Sequence, residues 1–273
     1  MKVDCHVHVT PPDIIANWEK YAKNEPHFSV LSNAKNNKFT AAEDVITSME
    51  KNGIEKSVIF GFAFRDIKLC RYVNDYVIEK VKQFPDKLIG FAVVPPCEGA
   101  AKEIIRCHNA GLVGVGELFP LFNESETWQE ICDTCVKLNL PILLHVNESV
   151  GHNYPGKTNV SLKQLENFIT NNPELKIILA HFGGGLLFYE LMKELKEKFC
   201  NVYYDTAASP FLYDKKIYNV IKTLDLCDKI IFGSDFPLLN PSRYFDDIEK
   251  SGFTEEEKEQ IFGKNIKNIL IVF

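Results

Sequence analysis

The chain has no apolar run long enough to cross a bilayer, since stretches such as Leu88–Val94 fall far short of the ~20 residues a spanning helix needs. It has no basic excess either. Its 31 Lys and Arg stand against 37 Asp and Glu, for a net charge of −6, which removes the electrostatic case for nucleic acid. Sequence repeats, low-complexity tracts and linkers are missing too, which points to one domain over residues 1–273. No apolar segment follows Lys2 as a signal peptide would require. Eight cysteines without an export signal imply free thiols in a reducing compartment, so the cytoplasm is the expected location.

What the chain does have is an alternation. Short, near-continuously apolar runs occur at Lys2–His6, Ser57–Phe60, Leu88–Val94, Leu112–Leu118, Pro141–Val146, Lys176–Phe182, Asn201–Thr206 and Lys229–Asp235. Such runs read as parallel strands covered on both faces. Between them lie amphipathic stretches: Ala41–Asn52, Cys70–Phe84, Glu98–Ala110, Glu124–Asn139, Val160–Asn171, Gly184–Phe199, Asp214–Leu226 and Pro241–Lys250. The first follows Thr40, an expected N-cap with Glu43 three residues on, and stops before Gly53. Eight strand–helix pairs predict a (β/α)8 TIM barrel of the α/β class, with an open doubly wound sheet the alternative on alternation alone. Thr10–Phe39, rich in Pro and Asn, is a long connection on the catalytic side with a short helix expected at Ile14–Tyr21. Thr254–Phe273 reads as two short helices closing the barrel.

The potential metal ligands fall at strand ends. His6 closes the first run, and His8, two residues on, faces the same way in a strand. Glu117 ends the fourth run, His145 the fifth, His181 the sixth and Asp235 the eighth. The C-terminal mouth is where barrel enzymes keep their chemistry, whereas His27, His108 and His152 show no such placement. Imidazole and carboxylate suit zinc, with manganese or iron(II) next. A divalent cation there lowers the pKa of bound water to about 7 and polarises a carbonyl or phosphoryl oxygen. Asp235 is then the general base, and His181 an oxyanion stabiliser, a proton shuttle or a ligand of a second ion.

These residues resemble a known family. Asp4-Cys5-His6-Val7-His8, His145, Leu179-Ala180-His181-Phe182-Gly183-Gly184, Phe232-Gly233-Ser234-Asp235-Phe236-Pro237 and Ile261-Phe262-Gly263-Lys264-Asn265 are similar to motifs of the amidohydrolase-2 branch of the amidohydrolase superfamily. That branch includes aminocarboxymuconate-semialdehyde decarboxylase and related decarboxylases, hydratases and lactone hydrolases. The resemblance covers essentially the whole chain and implies His6, His8, His145 and Asp235 as metal ligands, with His181 a catalytic histidine. It makes a homodimer unsurprising. Many superfamily members carry a carboxylated lysine at the end of the fourth strand, where this chain has Glu117. A glutamate there resembles TatD-type nucleases and some phosphotriesterase-like enzymes. It leaves a two-ion site open, with His6, His8 and Asp235 on one ion, His145 and His181 on the other, and Glu117 between.

For the substrate, Arg65 and Arg243 are candidate holders of an acidic group, and Asn147, His152 and Tyr154 candidate contacts on the loop after His145. Gly183-Gly184-Gly185 reads either as a helix start able to hold an anion or as a tight turn. Cys132 and Cys135 read as two thiols on one helix face, and Cys5 as packing against the barrel wall. The leading expectation is hydrolysis of an amide, cyclic amide, lactone or ester of a small molecule by metal-activated water. The alternative is non-oxidative decarboxylation of an unsaturated or aromatic acid. Phosphoester cleavage rests on Glu117 alone, and a silent metal-binding barrel is disfavoured because every ligand position is filled.

Overall fold

Eight parallel strands form a ring. In the computed structural model, which describes residues 1–35, 37–120, 125–147, 150–151, 153–158 and 160–270, they are β1 Val3–His8, β2 Lys56–Phe60, β3 Leu88–Gly90, β4 Val115–Leu118, β5 Ile142–Leu144, β6 Ile177–Leu179, β7 Val202–Asp205 and β8 Ile230–Ile231. β1–β3 pair in order, as do β4–β8. Two seams join these sheets. At one, Ala92 N donates to Gly114 O and Gly116 N to Ala92 O; at the other, Cys5 N donates to Phe232 O and Asp235 N to His6 O, all within 2.8–2.9 Å. All eight expected strands are present. From β3 to β8 the ladders are shorter than the apolar runs, because Phe91–Val94 and similar segments leave the ladder toward the mouth while staying buried.

The barrel has two apolar layers. Val58, Phe60, Phe91, Leu143, Ile178 and Ile231 belong to one cluster, which fills the interior. Ile59, Leu144, Ile177 and Leu179 belong to the other, packed against helix residues such as Val45, Met49, Val77 and Ile104. Successive strand residues thus divide between the layers, as a period of two requires. Each fully buried Leu or Ile adds roughly 1.5–3 kcal/mol.

The covering helices include Ala42–Asn52, Ile67–Gln83, Ala100–Asn109, Ser125–Lys137, Leu162–Asn171, Ile217–Thr223 and Ser242–Glu249. Two expectations are corrected. The first helix is capped at Ala41, whose N–H donates to Asp44 Oδ2 at 3.3 Å; Thr40 is spent elsewhere, its carbonyl taking the N–H of Thr10. The expected helix Gly184–Phe199 is broken. His181 to Gly185 all have positive φ, between 54° and 95°, so the run winds left-handed, a conformation glycine reaches without steric cost. An α-helix follows only at Lys193–Lys198. Gly183–Gly185 therefore form a turn and no right-handed helix start. The long connection after β1 holds three short helices, Pro12–Ala16, Trp18–Ala22 and Pro26–Ser32. It is stapled to the exit of β2 by buried Glu25, whose carboxylate accepts from Arg65 N at 2.6 Å and Asp66 N at 2.8 Å. Among the described residues, no helix is long and apolar enough to cross a membrane.

Candidate metal centre and its pocket

The strand ends converge. His6 Nε2 and His8 Nε2 are 3.3 Å apart, and Asp235 Oδ1 lies 3.7 Å from the first and 3.5 Å from the second. Across the mouth, His145 Nδ1 is 2.8 Å from Glu117 Oε1 and 3.2 Å from His181 Nε2. Glu117 faces both sets: its Oε2 is 3.7 Å from His6 Nε2 and 3.5 Å from His8 Nε2, and its Oε1 is 3.7 Å from His181 Nε2. Two triads result, His6–His8–Asp235 and Glu117–His145–His181, each with ligand atoms within 4.8 Å of one another.

Local irregularities aim these side chains. The β1–β2 register shifts between Asp4 and Val7, spanning His6, and the β4–β5 register shifts between Val115 and Leu118, spanning Glu117. Bulges of this kind re-aim side chains beside active sites. The first shift also puts Cys5 in the interior cluster with Val58 and Phe60, so it packs as expected but within the barrel. Gly116 has φ of 140°, and a Cβ there would sit 2.5 Å from Leu143 O; only glycine lets β4 come this close to β5. Asp235 and His181 both hold positive φ, 60° and 58°, the strained backbone that clusters at functional sites.

The donor set fits a divalent cation. His6 Nδ1 donates to Asp205 Oδ2 at 2.8 Å, and His181 Nδ1 donates to Ala207 O at 2.9 Å. Both tautomers are thereby fixed with the Nε2 lone pair facing inward, as metal-bound imidazoles are held. Among the described residues His8 Nδ1 is buried without a partner, and its ring is set by stacking on Phe62 at 4.8 Å. His145 Nε2 lies between Gly156 O at 2.9 Å and the Asn147 amide nitrogen at 2.8 Å. The field calls for positive charge. Burial disfavours a charged His6, yet Asp205, Glu117 and Asp235 raise its pKa to about 10. Burial drives His8 down to about 4. Glu117 would be raised by burial, but His145 and His6 hold it well below the usual carboxylate range.

A cavity of about 520 Å³ opens over this cluster, walled by Phe62, Phe119, Tyr154, Phe211, Leu212 and Leu238. Of the expected substrate contacts, Asn147 and Tyr154 line it. Arg65 and Arg243 do not. Arg65 is exposed beside the Glu25 staple, and Arg243 is exposed, its guanidinium over the ring of the lining residue Phe211 at 5.7 Å. His152 lies outside the described residues. Sequence reasoning missed Asp205, at the end of β7, whose Oδ1 also accepts from His181 N at 2.9 Å and Ala207 N at 3.0 Å. The strand-end rule, applied once more, finds it. Also missed were Lys35 and Lys38, which line the cavity from the loop after β1, and the nearness of His27 to the site, its ring 3.5 Å from that of Phe119.

The chain can be set beside known proteins. It is 23% identical to gamma-resorcylate decarboxylase of Polaromonas sp., over 81% of this chain and 84% of that one. It is 23% identical to 2-amino-3-carboxymuconate-6-semialdehyde decarboxylase of Dictyostelium discoideum, over 78% of this chain and 70% of that one. The solved structure of a dihydroxybenzoic acid decarboxylase from Polaromonas sp., with bound manganese and the inhibitor 2-nitroresorcinol, superposes with a TM-score of 0.70 at 19% identity, covering 98% of this chain and 96% of that one. These relatives are decarboxylases and favour the decarboxylase reading over the hydrolase one. The amidohydrolase family model of the second type matches residues 3–270, nearly the full length, and the chain belongs to that family.

Proposed function

We propose that this protein is a metal-dependent, non-oxidative decarboxylase of an aromatic or unsaturated carboxylic acid. The observation that carries the reading is the pairing of an aromatic-walled cavity with six converging imidazole and carboxylate groups at its floor. The relatives named above support it. His6, His8 and Asp235 are the proposed holders of a divalent cation, with His145, His181 and Glu117 able to complete that site or hold a second ion. Manganese in a structural neighbour puts Mn beside Zn as the candidate. When bound, the cation supplies Lewis-acid anchoring of substrate oxygens.

The chain's own groups do the rest. Phe62, Phe119 and Phe211 sandwich the acid and keep water from the reacting carbon. The C–C bond to the carboxylate breaks, CO2 leaves, and a C–H bond forms with a proton delivered at that carbon. Asp235 and His181 face the cavity and are the proposed proton carriers. Asn147 is a proposed substrate contact that also steadies His145. The two-faced carboxylate of Glu117 keeps hydrolysis as the second reading, because it suits a bridged pair of ions. Eight free cysteines support a reducing compartment, the cytoplasm.

The test is CO2 release from gamma-resorcylate and related acids by Mn- or Zn-loaded protein, with metal content measured beside Asp235→Asn and Glu117→Gln. Release that is lost with Asp235→Asn supports the proposal. Cleavage of lactones or amides with no CO2 from any acid, and two equivalents of metal falling with Glu117→Gln, would replace it with the hydrolase reading.

A further inference from the structure

The cavity has a chemical polarity that the proposed reaction alone does not require. Its floor holds the carboxylates Glu117 and Asp235, and among the described residues no other acidic side chain lines it. Its wall is aromatic and aliphatic. Among the described residues its remaining charge consists of Lys35 and Lys38, both exposed and therefore at the mouth. Among the described residues neither lysine has a carboxylate within ion-pair distance, whereas Lys80, Lys229 and Lys258 are all paired. The arginines expected to meet an acidic substrate, Arg65 and Arg243, are not among the lining residues. At about 520 Å³ the space lies in the range of roughly 300–1,000 Å³ that takes drug-sized ligands.

We propose that Lys35 and Lys38 form a second anion subsite, and that the preferred substrate is a diacid whose other carboxylate, remote from the reacting one, docks between them. The proposal rests on reading the floor as a carboxylate site and names the class of acid it takes. The helix Pro26–Ser32 and the turn after it carry this subsite, with Leu31 and Ala34 lining the same side of the cavity. Leu31 also reaches across to Gly156, where an added Cβ would lie 2.9 Å from Leu31 Cδ2, so the lysine-bearing segment packs on the loop that supports His145. Ammonium groups at an apolar cavity's mouth favour an anion there and leave a neutral group at that end unrewarded.

The experiment is calorimetric titration of the Mn-loaded full chain with benzoate, benzene-1,3-dicarboxylate and biphenyl-3,4'-dicarboxylate. It compares the wild type with Lys35→Ala/Lys38→Ala and Lys35→Arg/Lys38→Arg, each checked for its melting temperature. The expected result is that at least one diacid binds about 10-fold or more tighter than benzoate. That preference persists in the arginine pair and falls to near unity in the alanine pair, while benzoate binding stays within about twofold. No preference in the wild type, no binding of either diacid, or a preference that survives the alanine pair overturns the proposal. The readout is binding, so a protein that prefers diacids yet releases no CO2 fails the decarboxylase reading and keeps the subsite.

Discussion

The two triads at the barrel floor are built differently. His6, His8 and Asp235 stand on β1 and just after β8, neighbouring segments joined by backbone hydrogen bonds, and buried acids support His6 and the segment just before Asp235. Asp205 holds the ring of His6, and Asp4 accepts from Ser234 N at 2.9 Å and Ser234 Oγ at 2.5 Å beside Asp235. The rings of His145 and His181 are held on their outer side by loops instead, although Asp205 also accepts from the His181 backbone N–H. The Gly156 carbonyl and Asn147 hold His145, with Asn147 Oδ1 accepting from Thr158 N at 2.6 Å, and the Ala207 carbonyl holds His181. A carboxylate partner raises the basicity of a ligating imidazole more than an amide or carbonyl does. On the proposed function, the Asp205 partner of His6 makes the first triad the expected tighter cation holder, and the second the expected adjustable one that meets the substrate.

The comparison can be broken by substitution. Asp235→Asn is expected to have the largest effect: metal at the first triad is lost and CO2 release falls by at least about a thousandfold, the loss of several kcal/mol of Lewis-acid stabilisation. Elemental analysis beside the rate checks it, and full metal with full rate would end the ranking. Next comes Asp205→Ala, for which metal affinity drops about 10- to 100-fold, read by competition with a chelator. Asp205→Asn restores part of that loss by keeping an acceptor for the His181 N–H. Asn147→Ala is expected to change kcat/KM by less than about tenfold with metal content unchanged. Metal loss as large as that of Asp205→Ala would show the triads to be equally dependent on their supports. Smallest are Arg65→Ala and Arg243→Ala, each within about 0.5 kcal/mol of wild-type stability and with unaltered KM, measured by denaturant melts and steady-state kinetics.

Much of the floor was legible because two simple rules meet there: strands alternate with period two, and barrel chemistry gathers at the C-terminal ends. His6, His8, Glu117, His145, His181 and Asp235 all follow from those rules. Asp205 obeys them equally and was passed over because its strand end carries no familiar motif. The bulges at His6 and Glu117 leave no mark in the residue pattern, since they are properties of register. Lys35 and Lys38 sit in a stretch with no periodicity to assign a facing direction. Arg65 and Arg243 illustrate the converse failure. Nearness in sequence to a strand exit does not say which way a long side chain turns, and the Arg65 N–H is tied to the Glu25 carboxylate while its side chain is exposed. The broken helix at His181–Gly185 was the cost of trusting amphipathic spacing across three glycines.

Asp4 and Ser234 hydrogen-bond across 230 residues of chain, and this has a bearing on biosynthesis. At roughly 5–20 residues per second, about 10–50 s pass between the emergence of β1 and that of its partner strand. For most of that interval His6 has no Asp205 to fix its tautomer, and until its end the His6-x-His8 pair has no Asp235 with which to share a cation. Contacts so distant also slow ring closure once the chain is complete. The cluster of six groups is therefore complete only once the last strand is in place, and on the proposed function a cation held jointly by His6, His8 and Asp235 is acquired after the barrel closes.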